Sequence, residues 1–411
     1  MDWRNRIGLY GSYFFGMAAI GFTLPYLPLY LGDKGLSDWA IGIISTLAAL
    51  SGMAQFPVGL WSDRIGWRKP FLVVALAVAA LATYFLRGAE NIIWLGFLVI
   101  LFAENGICRA VVESLSGAEA AALAPKGEVG AALGALRFWK PIGIVAVALV
   151  GSWMSERYGV GSILMPILVL QGLAVAAALM IHEPNSHAPE ARDNSTARAN
   201  PSGGWIPRDA GLWSFIVAMI LYHAANAPGG VYLGLFLKRD LHAPDRMLAY
   251  AFAVSMVAWM LVVWPAGWIA DRWGRKPLLV AGWSIMAIRL GLVSVLRSPE
   301  MAVANQALDG LGNGLFAVIA AAWMTDRLAD PRRAGEAQVI VGTCLVLGSA
   351  LGPAVAGFLV EPLGYRGLFA TLAGLGALAT AIVVFLVPET LSERDADDEP
   401  MAVTSDLSTV P

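Results

Sequence analysis

Apolar runs long enough to cross a bilayer recur along the chain, at residues 8–31, 40–61, 70–87, 92–118, 129–153, 160–181, 210–237, 247–270, 277–297, 301–325, 336–360 and 365–387. A helix rises about 1.5 Å per residue and a hydrocarbon core is about 30 Å thick, so roughly 20 such residues make one crossing. The pattern predicts twelve transmembrane helices joined by short polar connections. The opening run, "MDWRNRIGLYGSYFFGMAAIGF", has the charged start of a signal peptide, but it stays apolar to about Leu31, too long for a signal core, and no A-x-A-like site comes after it. It reads as the first span.

One connection differs from the rest. Residues 182–209 are rich in Pro, Ser, Asn and charge and carry no apolar periodicity, which predicts a flexible linker; His182 and His187 fall in it and read as solvated. It separates a six-span half, 1–181, from a second, 210–390, with a polar tail at 391–411. Lys and Arg gather at the termini and in alternate connections, sixteen on that side against eight on the other. The positive-inside rule then places both termini in the cytoplasm, for a multi-pass protein of the cytoplasmic membrane.

Composition agrees: 58% of residues are hydrophobic, 14% are charged and the mean hydropathy is +0.65, which excludes an ordinary soluble domain with roughly 25% charge. A net charge of -2 without a basic tract argues against a nucleic-acid partner. Cys108 and Cys344 lie inside apolar runs and read as small buried hydrophobes rather than metal ligands or a disulfide. No metal cluster, Walker loop or nucleophile elbow appears in the connections, so neither a cofactor nor an enzyme activity is expected. The expected partners are a small-molecule substrate, protons and the lipid bilayer, for a monomer.

The two halves echo each other. "GLWSDRIGWRK" at 59–69 comes after the second span, and "GWIADRWGRK" at 267–276 after the eighth. Gly59, Asp63, Arg64 and Gly66 match Gly267, Asp271, Arg272 and Gly274, a repeat of 208 residues. Here the glycines would let helices approach, the aspartates would accept hydrogen bonds where helices meet, and the cations would hold the loop at the membrane surface. This duplicated pattern resembles the major facilitator superfamily. The resemblance implies two six-helix bundles, pseudo-symmetric, that rock about a substrate site at mid-membrane. "GSALGPAVAG" at 348–357 and "VPET" at 387–390 also resemble superfamily sequences, notably exporters.

Eight ionisable residues besides a histidine fall within predicted spans: Glu104, Arg109, Glu113, Glu119, Arg137, Lys140, Arg289 and Asp309. Each is costly in hydrocarbon and marks a functional candidate. Arg289 on the outward-running ninth span and Asp309 on the inward-running tenth both lie about 12 Å from the outer surface. They read as a proton-coupling pair, or alternatively as a permanent structural ion pair. "GRKPLLVAGWSIMAIR" is similar to a stretch of lactose permease type proton symporters whose arginine takes part in coupling, which implies that role for Arg289. Related nucleoside and phenylpropionate symporters have a histidine where "QALDG" has Asp309. The acidic residue that such symporters carry in the eighth span is missing from "AVSMVAWMLVVW", around Trp259.

In the first half, "GALRFWKPIG" at 134–143 is similar to the fifth span of the same symporters, whose arginine binds substrate and pairs with a glutamate eighteen residues earlier; Glu119 stands that far before Arg137. Glu119 alternatively sits at the membrane interface. Glu113 reads as facing Lys140, and the extra cation suggests an anionic substrate. Asn105, Arg109 and Glu113 form one stripe, either a self-neutralising pair or a substrate contact. In the seventh span, "LYHAANAPGGVY" offers His223 and Asn226 as polar groups for substrate, proton relay or interhelical bonding, beside a Pro228 break. Trp139, Trp259 and Trp323 lie deeper than the interfacial tryptophans. Proton-coupled symport of a small polar or aromatic solute is the leading expectation, with proton-driven export of drugs or metabolites as the alternative.

Overall fold

The computed structural model describes residues 2–103, 106–123, 129–182, 209–328 and 334–390. The linker, the tail, Glu104 and Asn105 lie outside the described residues, as do the side chains of Asp63, Arg137 and Asp271.

The chain is helical along nearly all of this length. In the first half the helices are α1 (Trp3–Ala18), α2 (Ile20–Thr23), α3 (Leu27–Asp33), α4 (Asp38–Ser51), α5 (Gln55–Ile65), α6 (Lys69–Gly88), α7 (Ile92–Phe102), α8 (Ile107–Leu123), α9 (Val129–Tyr158) and α10 (Leu164–Met180). The second half holds α11 (Ala210–Arg239), α12 (Arg246–Trp273), α13 (Arg275–Val295), α14 (Pro299–Arg327) and α15 (Ala334–Leu386).

Among the described residues ten helical stretches are long and apolar enough to cross a membrane, or eleven if the pair bent by 51° between Thr23 and Leu27 counts as one. The difference from the twelve predicted spans lies at the end of the chain. Residues 336–360 and 365–387 fall in the single stretch Ile340–Leu386, 47 residues long. Straight, that stretch would run about 70 Å, more than two hydrocarbon cores. It is not straight, because Gly364 adopts φ 64 and breaks it.

Burial is inverted relative to a soluble protein. Ile93 is 83% exposed and Phe385 81%, on outward faces, while Arg289 is 2% exposed. The second bundle has an aromatic core: Trp323 packs on Phe215 at 4.2 Å between centroids, and Tyr222 stacks on Trp283 at 4.8 Å and on Phe316 at 5.3 Å. Trp323 is fully buried there and donates its indole N–H to the Pro388 carbonyl at 2.9 Å, so it is a packing residue. Trp139 points outward at 47% exposure beside Phe138. Of the three deep tryptophans, only Trp259 lines the cavity between the halves.

Candidate functional site

α13 enters from the face that carries the termini and α14 from the opposite face, so residues fourteen and ten positions into them meet near the middle. Arg289 Nη1 lies 2.7 Å from Asp309 Oδ1. The same nitrogen donates to Asn226 Oδ1 at 3.0 Å, Asn226 Nδ2 donates to Asn313 Oδ1 at 2.9 Å, and Asn313 Nδ2 donates back to Asp309 Oδ1 at 3.0 Å. Four side chains from α11, α13 and α14 thus close a ring. Ser255 on α12 adds a bond to Asp309 Oδ2 at 2.6 Å. The ion pair is tolerable in an apolar bundle because Arg289 Nη1 and both Asp309 oxygens find partners, although Arg289 Nε has none among the described residues, and because Asp309, 21% exposed, opens onto a cavity.

That cavity has a volume of about 410 Å³ and lies between the halves. The second half lines it with the ring, Ser255, Gln306, His223 and Trp259; the first contributes mostly apolar surface, including Leu24, Leu27 and Val99. His223 is buried and packs edge-on against Phe316 at 4.6 Å.

The polar contacts that join the halves gather at the face away from the termini. Asp38 accepts from Arg239 at 2.8 Å, from Tyr365 at 2.9 Å and, through its carbonyl, from Tyr232 at 3.0 Å. Asp245 accepts from Ser155 and from Lys238, and Arg246 lies 3.7 Å from Glu156. Trp39 stacks on Phe358. This face is closed. Arg239 is 41% exposed, and half-exposed pairs contribute only ~0.2–1 kcal/mol. Asp38→Asn is therefore expected to raise labelling of a cysteine introduced at Leu27, from that face, by about 1.5- to 5-fold.

At the termini-bearing face, the repeated loops bond within their own halves. Arg68 lies 3.9 Å from Glu119, and Lys69 donates to the Leu179 and Ile181 carbonyls at 2.8 and 2.6 Å. In the second half Arg275 pairs with Asp326 at 3.1 Å. Glu389 of "VPET" accepts the Arg275 and Lys276 amides at 2.9 and 3.0 Å, capping the start of α13 where a carboxylate suits the free N–H groups. Asp209 caps α11 through the Gly211 amide, and its bond to Arg327 holds its carboxyl below the ordinary carboxylate value.

The family model described as MFS_1 like family matches residues 7–371. The chain belongs to the MFS_1-like family. It is a multi-pass membrane transporter of the major facilitator type. An uncharacterized MFS-type transporter of Mycobacterium tuberculosis is 26% identical over 393 residues, with 89% of each chain covered. The multidrug resistance protein MdtL of Escherichia coli is 31% identical over 166 residues, 40% of this chain and 42% of that one. Among solved structures, the nucleoside transporter NupG matches with TM-score 0.76 at 14% identity, covering 94% of this chain and 99% of that one. The inward open xylose transporter XylE from E. coli matches with TM-score 0.70 at 15% identity, covering 95% and 98%.

Within this MFS fold, several sequence expectations need correction. Glu119 does not line the cavity; it is 1% exposed and faces Arg68, and the side chain of its expected partner Arg137 lies outside the described residues. The reason is depth: Glu119 sits at the termini-bearing end of α8, level with the loop. The Arg68–Glu119 pair recurs 207 residues later as Arg275–Asp326, so it is part of the repeat. Glu113 meets Lys140 at 2.7 Å and accepts from Tyr13 at 2.7 Å, but this cluster too stands off the cavity wall. Arg109 lines a separate cavity of about 20 Å³ with Cys108 and Gln171. Gly59 and Gly267 do not bring helices together: a Cβ on Gly59 would meet open space and one on Gly267 only Val318 at 3.7 Å. Gly66 and Gly274 are the constrained pair, turning the chain at φ 78 and φ 97. The Arg64 and Arg272 side chains are exposed, with Arg272 stacked over Trp268.

Sequence reasoning missed Ser255, Gln306 and Asn313. Asn313 stands one helical turn beyond Asp309, a legible signal. Ser255 sits in a stretch read as wholly apolar, and only the packing of α12 on α14 brings it to Asp309. Among the described residues no three His, Cys, Asp or Glu side chains converge as metal ligands.

Proposed function

We propose that this chain is a proton-coupled secondary transporter, working as a monomer by alternating access, in which Asp309 takes up and releases the proton. The observation that carries the reading is the Arg289–Asp309 contact of 2.7 Å on the wall of the cavity between the halves. A carboxylate whose counter-charge and solvation change as the cavity opens to one side and then the other changes its proton affinity with them. With the termini in the cytoplasm, as the Lys and Arg distribution argues, the closed face is external and this conformation faces inward.

Proton exchange against an outgoing organic solute fits the geometry better than co-entry. Among the described residues Asp309 is the only acidic group on the cavity wall, so proton and solute share one site. The likeness to MdtL over 40% of the chain favours the same direction. Symport of a small polar or aromatic solute is the second reading. Supporting it are the likeness of residues 134–143 to the fifth span of symporters and the fold shared with NupG.

The test is a solute screen in proteoliposomes carrying an internal pH-sensitive dye, with Asp309→Asn as comparison. Proton movement opposite to solute, lost in the variant, is the expected result. Movement in the same direction gives the symport reading, and unchanged coupling in the variant removes Asp309 from the mechanism.

A further inference from the structure

The cavity presents its two charges unequally, and its two walls are chemically different. Asp309 is 21% exposed on the cavity side, whereas Arg289 beside it is 2% exposed, covered by the ring and by Gly229. An incoming solute therefore meets the carboxylate far more than the guanidinium, which reaches the same wall but is almost fully covered. An ionised carboxylate accepts about four hydrogen bonds. Asp309 Oδ1 already takes Arg289 and Asn313 and Oδ2 takes Ser255, which leaves one acceptor position, on Oδ2. Opposite this position, the first half offers mostly apolar surface, Leu24, Leu27, Leu31 and Val99, with the hydroxyls of Thr23 and Ser45, and α12 adds the rings of Phe252 and Trp259.

From this arrangement we infer that the transported solute is a compact amphipathic amine: one cationic N–H donor that seats on Asp309, and an apolar or aromatic body that lies on the first-half wall. The inference rests on the proton-exchange reading and supplies its solute. A polyol would find few partners on this largely apolar wall, where only Thr23 and Ser45 offer hydroxyls and unpaired polar groups are costly. A carboxylate solute would face Asp309 at close range. The cation fits, and its charge gains from Trp259, the best of the aromatic faces for a cationic partner.

The same geometry links the proton to the solute without a second site. While Asp309 is ionised it balances Arg289 and still accepts the amine. Protonation removes the balancing charge, leaving Arg289 and the amine as two cations across a neutral acid, and the amine is expelled. Proton and amine thus compete for Asp309. The other titratable or charged groups placed to act on it are Arg289 from α13, with His223 and Tyr222 from α11; α12 faces it with Ser255 and Trp259.

The experiment uses three probes with one apolar body and different heads: phenylbutylamine, phenylbutanol and phenylbutanoate. Binding to the purified full chain is measured by tryptophan fluorescence and calorimetry across a pH series. The expected result is that the amine binds about tenfold or more tightly than the alcohol, as for a charge-assisted bond, with the carboxylate weakest. Affinity for the amine falls as pH is lowered, in wild type and in His223→Gln alike, and Asp309→Asn brings amine and alcohol level. Tightest binding of the carboxylate, or equal binding of all three, overturns the amine assignment and leaves proton coupling to the liposome test. A preference for the amine that does not change with pH upholds the assignment and overturns competition at Asp309. The wild-type head-group series decides the question even if Asp309→Asn does not fold.

Discussion

Asp309→Asn is expected to destabilise the protein more than Arg289→Met, although each removes one member of the same pair. Breaking a buried ion pair by deleting one partner costs about 3–5 kcal/mol, because the other charge stays behind without compensation. The size of the loss depends on which charge remains. Arg289→Met leaves a carboxylate that is 21% exposed to the cavity and can take up a proton. Asp309→Asn leaves a guanidinium that is 2% exposed and cannot lose one. The neighbours sharpen the contrast, since Ser255 and Asn313 still serve a protonated Asp309, whereas in Asp309→Asn the Arg289 guanidinium faces only neutral amide oxygens, that of Asn226 and that of the new side chain. Lowering the pH neutralises the stranded acid in Arg289→Met and should recover part of its lost stability; it should do nothing for Asp309→Asn. The double variant, Arg289→Met with Asp309→Asn, should be more stable than Asp309→Asn alone while failing to couple protons. Thermal unfolding of the four proteins in detergent, at two pH values, measures all of this. Equal losses in the two single variants at both pH values would mean that water in the cavity screens both charges alike.

Arg289 and Asp309 could be brought together from the sequence because their helices are oppositely directed and anchored at known ends, so position along the chain converts directly to height. Glu119 was harder to place, because a spacing of eighteen residues across a turn does not set depth; it lies at the termini-bearing end of α8, with Arg68 at 3.9 Å. The duplicated loops were legible as a repeat, yet the part played by each glycine was not. Backbone dihedrals assign Gly66 and Gly274 to the turns, while a Cβ at Gly59, the first glycine of the motif, would meet nothing within 4 Å. The contacts closing the far face, Asp38 with Arg239 and Asp245 with Ser155, join residues about 200 and 90 positions apart in connections too short to show any pattern of their own. Such pairings depend on how the two bundles lean together, a property of the assembled fold rather than of any segment.

One substitution made at two glycines should give opposite signs. Gly310 lies where α14 crosses α12, and a Cβ there would collide with the Ser255 carbonyl oxygen and fall 2.7 Å from the Trp259 amide nitrogen. Both are backbone atoms of another helix, which cannot yield by changing a rotamer. Replacing glycine by alanine inside a helix is otherwise worth about 0.5–1 kcal/mol in favour of folding. At Gly310 that gain is smaller than the cost of forcing two packed helices apart, about 1–3 kcal/mol and occasionally more for overpacking. Gly310→Ala should therefore lower the unfolding temperature. At Gly59 nothing lies within 4 Å of the new methyl group, so Gly59→Ala should leave the temperature unchanged or raise it. The damage at Gly310 should also reach the site, because the residue that the methyl group pushes away is Ser255, whose hydroxyl holds Asp309 Oδ2. Solute binding should weaken in Gly310→Ala even at temperatures where it stays folded, and it should be unaffected in Gly59→Ala. Close packing of α12 on α14 would then be a condition for the carboxylate's orientation, and not only for the stability of the bundle.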